Sequence, residues 1–216
     1  MSAAPIRPSE GRVAAGADDD GRRCGMTGGT VDRTDERYSR GIRRRVALLT
    51  AALRVAERSG IAEVGLRSVA RECDVGPSLV SYHFPDRTAL LRALARYTAA
   101  QFEARASTAT GGSADRAELL AAVVADASSL NRGRALVEYE LALLGTREDG
   151  VVERDLGWPR LLAETVRHAV GEPVAAMRAV DEIEGLRFRA VTGPRRLRAR
   201  DVQARIEQIL VPRRTP

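Results

Sequence analysis

LRSVARECDVGPSLVSYHF, residues 66–84, reads as two short helices joined by a tight turn. Leu66, Val69, Ala70 and Cys73 fall on one face of the first helix, and Asp74 to Gly76 form the turn. Pro77 suits a first helical position, where its missing N–H costs nothing. Val80 and Phe84 then face inward and leave Pro77, Ser78, Ser81, Tyr82 and, in part, His83 outward. This is the layout of a helix-turn-helix reader, whose second helix enters the DNA major groove. The short outward side chains let the helix backbone come close, and serine hydroxyls bond base edges or phosphates. Tyr82 reads either as a phosphate donor or as a ring packed on the first helix, and His83 as a phosphate contact or a structural hydrogen bond.

The segments on either side extend this reading. Downstream, Asp86 caps a further helix that turns Leu90, Leu91 and Leu94 to the core. Arg87 lies one residue inside that cap, where a phosphate could use both its guanidinium and the free N–H groups of the helix start. Arg67 is a weaker candidate of the same kind. Upstream, Val46, Leu49, Leu53 and Ala56 recur at helical spacing between Tyr38 and Gly60. Arg43, Arg44 and Arg45 open this helix in the sequence reading, an arrangement unfavourable with the helix dipole. Phosphate contact, with Arg44 as the candidate, would compensate; ordinary solvated charge is the alternative.

With these residues lined up, positions 45–94 resemble the TetR family of transcriptional regulators. The most specific portion is VGPSLVSYHFPDRTALL, with Gly60 and the Val69-Ala70 pair in support. The resemblance implies an all-α protein: an N-terminal three-helix helix-turn-helix domain, then a C-terminal helical bundle for ligand binding and dimerisation. It places DNA contacts at Pro77, Ser78, Ser81, Tyr82, His83 and Arg87. It also implies a homodimer on double-stranded, palindromic operator DNA, an unidentified small-molecule effector, and repression as the output. Three positions depart from the family pattern: Gly65 where threonine usually caps helix two, Asp74 at the usual turn glycine, and Ser81 where many members carry tyrosine.

Beyond residue 95 only periodicity guides the reading. Residues 92–107, 119–127 and 135–144 look helical, broken by the polar run TATGGSAD. Trp158, Leu161, Leu162, Thr165, Val166 and Ala169 make one stripe ended by Gly171. After Pro173 a second runs through Met177, Val180, Ile183, Leu186 and Ala190. Two adjacent striped helices can supply half of a four-helix bundle with a second copy. Leu161, Leu162, Thr165, Val166, Val180 and Ile183 are therefore the expected dimer contacts, with a monomer core as the alternative. Tyr139, Trp158, His168 and Met177 are the candidate effector contacts. A last segment with Val202, Ile206, Ile209 and Leu210 completes the bundle.

Composition agrees with this organisation: an arm over 1–37, the reader over 38–86, the helical effector and dimerisation domain over 87–211, and a tail over 212–216. The 216 residues carry 44% hydrophobic but only 4% aromatic side chains, enough for Leu/Ala/Val cores, and a net charge of +6 that favours a polyanionic partner. Cys24 and Cys73 form no disulfide framework or CxxC pair, which fits a reducing cytoplasm. The acidic run Asp18 to Asp20 and the lack of a long apolar stretch argue against a signal peptide or a membrane span. No phosphate loop, nucleophile elbow or HExxH motif occurs, and the two histidines lie far apart, so neither catalysis nor a metal or other cofactor is expected. Two other readings stay open on the residues: a non-specific or architectural DNA-binding protein, and a helical interaction module that has lost DNA binding.

Overall fold

The first helix begins well before its apolar stripe. In a computed structural model of the chain, described over residues 31–109, 116–148 and 157–210, α1 runs Val31–Ser59. Residues 31–37, expected in the arm, are thus helical; the remainder of the arm and residues 211–216 lie outside the described residues. Two compact units divide the chain, 1–38 and 39–216, and both cores, the reader and the cavity belong to the second. Arg43 to Arg45 sit about three turns into α1. The dipole argument for a phosphate there fails, because a macrodipole acts only on the first and last turns. Val46, expected inside, is 43% exposed, and burial begins at Leu48.

After α1 a 3-10 turn, Ile61–Glu63, leads into α2 (Leu66–Glu72), α3 (Pro77–His83) and α4 (Arg87–Ala109). Gly60 allows the first reversal, at φ 85°. Gly65 caps α2 without a side-chain bond to the first-turn N–H groups; Ser68 ties the cap from inside the helix, its Oγ accepting from the Gly65 N–H at 2.9 Å and donating to the Glu63 carbonyl at 2.7 Å. Asp74 takes the left-handed turn at φ 53°, a conformation Asp tolerates better than most residues. At the head of α4 the Asp86 carboxylate accepts from the Ala89 N–H at 2.7 Å, the cap expected from sequence.

The described residues contain no strand. They continue through α5 (Arg116–Ala127), α6 (Arg132–Gly145), α7 (Trp158–Ala169), α8 (Pro173–Thr192) and α9 (Ala199–Leu210), so the fold is all-helical. None of the described helices is long and apolar enough to cross a membrane.

Two hydrophobic cores form. The first gathers Leu48, Leu53, Val69, Val80, Phe84, Leu90, Leu91 and Leu94, together with Val137 and Leu141 of α6. The second gathers Phe102, Leu120, Trp158, Leu162, Ile183, Ile206 and Ala135 of α6. Helices α4 and α6 therefore serve both cores. The boundary expected at residue 87 does not separate them, since the first turns of α4 close the reader's own core.

The second core also overturns the expected dimer face. Leu162, Thr165, Val166 and Ile183 are buried within the single chain, and Leu161 and Val180 are half-buried against the same core. Periodicity correctly marks a face that must be covered, but not whether the cover is the same chain or a second copy. On α8 the uncovered apolar side chains are Val174, Met177 and Phe188, at 56%, 68% and 52% exposure.

Candidate DNA interface and cavity

Burial sets the outward face of α3. Val80 and Phe84 are fully buried and lock the helix rotation, which leaves Pro77, Ser78, Ser81 and Tyr82 exposed. Tyr82 is 83% exposed, with its ring edge-on to His83 at 5.1 Å and not packed on α2. The Ser81 hydroxyl donates back to the Pro77 carbonyl at 3.1 Å, so its remaining capacity outward is as an acceptor. His83 is half-buried. Burial, then Arg45 and Arg44, hold its imidazole below the usual value, which favours the neutral ring.

The arginines near this face divide into two sets. Arg44 and Arg67 are exposed. Arg45, which sequence reading groups with Arg44, instead braces the reader: it donates to the His83 carbonyl at 2.8 Å and lies over the Phe84 ring at 4.4 Å. Arg54 and Arg58 clamp Glu72 at 3.0 and 2.8 Å, tying the end of α2 to α1 and holding the Glu72 carboxyl below its usual range.

Arg87 has a structural engagement that its place after the cap does not disclose. Its Nε donates to the Val64 carbonyl at 2.9 Å and its Nη2 to the Ile61 carbonyl at 3.0 Å. From the other side, the Glu140 carboxylate of α6 accepts from the Ile61 N–H at 2.6 Å. The turn that leads into α2 is thus gripped by α4 and α6 together. In the sequence Glu138, Tyr139 and Glu140 together invite a ligand reading, with the alternation of exposed and buried helix faces as the alternative; the hold of Glu140 on the Ile61 N–H has no signal there.

A cavity of about 460 Å³ opens between α4, α6, α7 and α8. Tyr139 and Trp158, both proposed from sequence, stand in its wall. His168 and Met177 do not: His168 is exposed with Nδ1 against the Glu164 carbonyl at 2.6 Å, and Met177 faces outward. The wall also holds a charged group that sequence reading passed over. Glu184 accepts a hydrogen bond from the Tyr139 hydroxyl at 2.6 Å and another from the Trp158 indole N–H. Arg187, only 3% exposed, pairs with Glu138 and lies between the faces of Trp158 at 4.7 Å and Tyr139 at 5.1 Å. Burial, together with Glu184, raises the Tyr139 pKa well above that of a free phenol, so its hydroxyl is a fixed donor. Among the described residues no His, Cys, Asp and Glu group could hold a metal ion.

A braced helix-turn-helix reader joined through shared helices to a bundle with an internal cavity defines a class, that of DNA-binding transcriptional regulators. Residues 48–94 match the sequence model described as bacterial regulatory proteins, tetR family, which assigns the reader to that type of DNA-binding domain. Among solved structures, a member of the TetR family from Streptomyces coelicolor is 25% identical over 77% of this chain and 97% of its own, with a TM-score of 0.59. The multidrug binding protein EbrR, crystallised with ethidium, is 24% identical over 77% of this chain and 98% of its own, TM-score 0.61. A transcriptional regulator assigned in Saccharomonospora viridis, crystallised with choline, is 22% identical over 78% of this chain and 95% of its own, TM-score 0.61. No curated protein matches the sequence.

Proposed function

We propose that this regulator is a ligand-responsive repressor that binds a palindromic operator as a homodimer in the cytoplasm. The observation that carries the reading is on α6. Successive residues Glu138 and Tyr139 wall the cavity while Glu140 holds the Ile61 N–H at the head of the reader. One helix therefore meets both an effector and the element that positions α3. The similar folds crystallised with ethidium and choline support a small-molecule role for such a cavity.

DNA contacts are assigned to Pro77, Ser78, Ser81, Tyr82 and His83 of α3, with Arg44 and Arg67 on phosphates. Arg87 contributes by holding the turn before α2, and a phosphate can use only the part of its guanidinium that the Ile61 and Val64 carbonyls leave free. A single short recognition helix needs a second copy to span successive major-groove turns. The exposed face of α8, with Val174, Met177 and Phe188, is the surface left for that contact.

Selection of bound duplexes from a random-sequence library tests the reading. Enrichment of an inverted repeat with half-sites about one or more helical turns apart is the expected result. Failure to enrich any sequence, with binding that simply fades as salt rises, would instead identify an architectural DNA-binding protein. For the dimer, Met177→Asp should halve the solution mass and leave the fold intact; an unchanged mass would move the interface elsewhere.

A further inference from the structure

Two carboxylates and one buried arginine meet in the cavity wall, and their charges do not cancel. Arg187 is neutralised by Glu138. Glu184 takes part in no ion pair among the described residues; its partners are the Tyr139 hydroxyl and the Trp158 indole, both neutral donors. Neutral donors stabilise a carboxylate but leave its charge in place. The fourth charged group of the wall, Arg96, is exposed, where solvent screens it.

Resting on the reading of the cavity as the effector site, we infer that it takes an organic cation: an apolar or aromatic body bearing a protonated nitrogen with at least one N–H, held by Glu184. Each carboxylate oxygen has two lone pairs. Tyr139 and Trp158 use one on each oxygen, so both oxygens retain an acceptor site for a ligand N–H. Arg187 already lies over the Tyr139 and Trp158 rings, which leaves Phe102 as the one other aromatic side chain of the wall, too little for a cage. The ligand nitrogen is therefore directed to the carboxylate and not into a cage of rings. Phe102, Leu141, Leu162 and Val180 supply the apolar wall against which the body of the ligand is buried. An anion placed there would face the uncompensated charge of Glu184.

The chain carries one tryptophan, Trp158, so quenching of its fluorescence reports directly on the cavity. Three probes of matched shape suffice: biphenylylmethylamine, biphenylylmethanol and biphenylylacetate, each titrated into the full-length protein. The amine should bind roughly tenfold or more tighter than the alcohol, as a charge-assisted hydrogen bond requires, and the acetate should bind weakest. Glu184→Gln should bring the amine to the alcohol's affinity while moving the alcohol by less than about twofold. Because the probe series is first run on the unaltered chain, it stands even if Glu184→Gln fails to fold.

An acetate that binds tighter than the amine, or an amine whose advantage survives Glu184→Gln, would overturn the charge assignment and leave the cavity as an effector site of another chemistry. Absence of quenching by all three probes would overturn both the assignment and the effector reading on which it rests.

Discussion

Removing the Glu140 carboxylate should loosen the reader from the side of the cavity domain. The bond it makes, Ile61 N–H to Oε2 at 2.6 Å, is short, partly buried and charged on one side. Hydrogen bonds of this kind contribute about 1.5–3 kcal/mol, and a half-buried N–H left without an acceptor costs about 1–3 kcal/mol. Glu140→Ala is therefore expected to lower the stability of the turn at Ile61 by about 1.5 kcal/mol or more. That corresponds to roughly tenfold faster local opening. Hydrogen exchange of the Ile61 amide, followed by NMR, reads this directly. Glu140→Gln keeps an acceptor but not the charge, and should fall between the parent and Glu140→Ala. Operator binding should weaken as well, because α2 and α3 are less well held before they meet DNA. Unchanged exchange at Ile61 in Glu140→Ala would refute the reasoning: the grip would then belong to Arg87 alone, and α6 would have no hold on the reader.

Other perturbations follow from the same contacts. Arg87→Ala should lower the thermal stability of the free protein as well as weaken DNA binding, because two carbonyls lose their donor; a melting temperature equal to the parent's would return the side chain to phosphate contact alone. Asp74→Gly should stabilise, since glycine adopts the φ of 53° freely; a gain of about 0.5 kcal/mol would raise the melting point by about 1–2 °C, and a fall would mean that the aspartate side chain holds the turn. For His83 the folded pKa lies below the ordinary 6.5, so its contribution to stability is present above that value and is lost as pH falls through it toward the folded pKa. A nearby phosphate raises the imidazole pKa again, so binding takes up a proton and operator affinity should rise as pH falls from neutrality, an effect that His83→Gln should abolish.

Where the chain's pattern and its chemistry coincide, both are legible in the sequence. The reader is the clearest case. Val80 and Phe84 are apolar at the spacing that fixes the rotation of α3, so its outward face follows with no coordinates. The first turns of α1 are illegible for the opposite reason, being polar from Asp32 to Arg37, with no stripe to reveal a helix. In α7 and α8 the stripe was visible and its cover was not. Arg187 left a readable trace: it stands four residues after Ile183 and three before Ala190, on the buried face of α8. A cation at that phase must find partners inside the protein, which points to acidic residues on neighbouring helices without naming Glu138. Arg87 left none, because its acceptors are backbone carbonyls more than twenty residues earlier.

The sharing of helices between two cores decides how an effector could act. Leu94 seals the reader's core and Thr98, one turn later on α4, stands in the cavity wall. At 1.5 Å per residue the two are about 6 Å apart along one rigid rod. Close-packed cores do not deform continuously, so a ligand that displaces Thr98 or Phe102 must shift α4 as a body or leave it in place. The amount of shift is limited by how much more tightly the ligand binds one arrangement than the other. Linkage then imposes a condition that needs no knowledge of the path: if an effector weakens operator binding by a given factor, operator DNA must weaken effector binding by the same factor. The fluorescence of Trp158, with and without duplex, measures that second factor on the same protein. Equality of the two would establish coupling between the cavity and the reader; an effector affinity indifferent to DNA would reduce the shared helices to architecture.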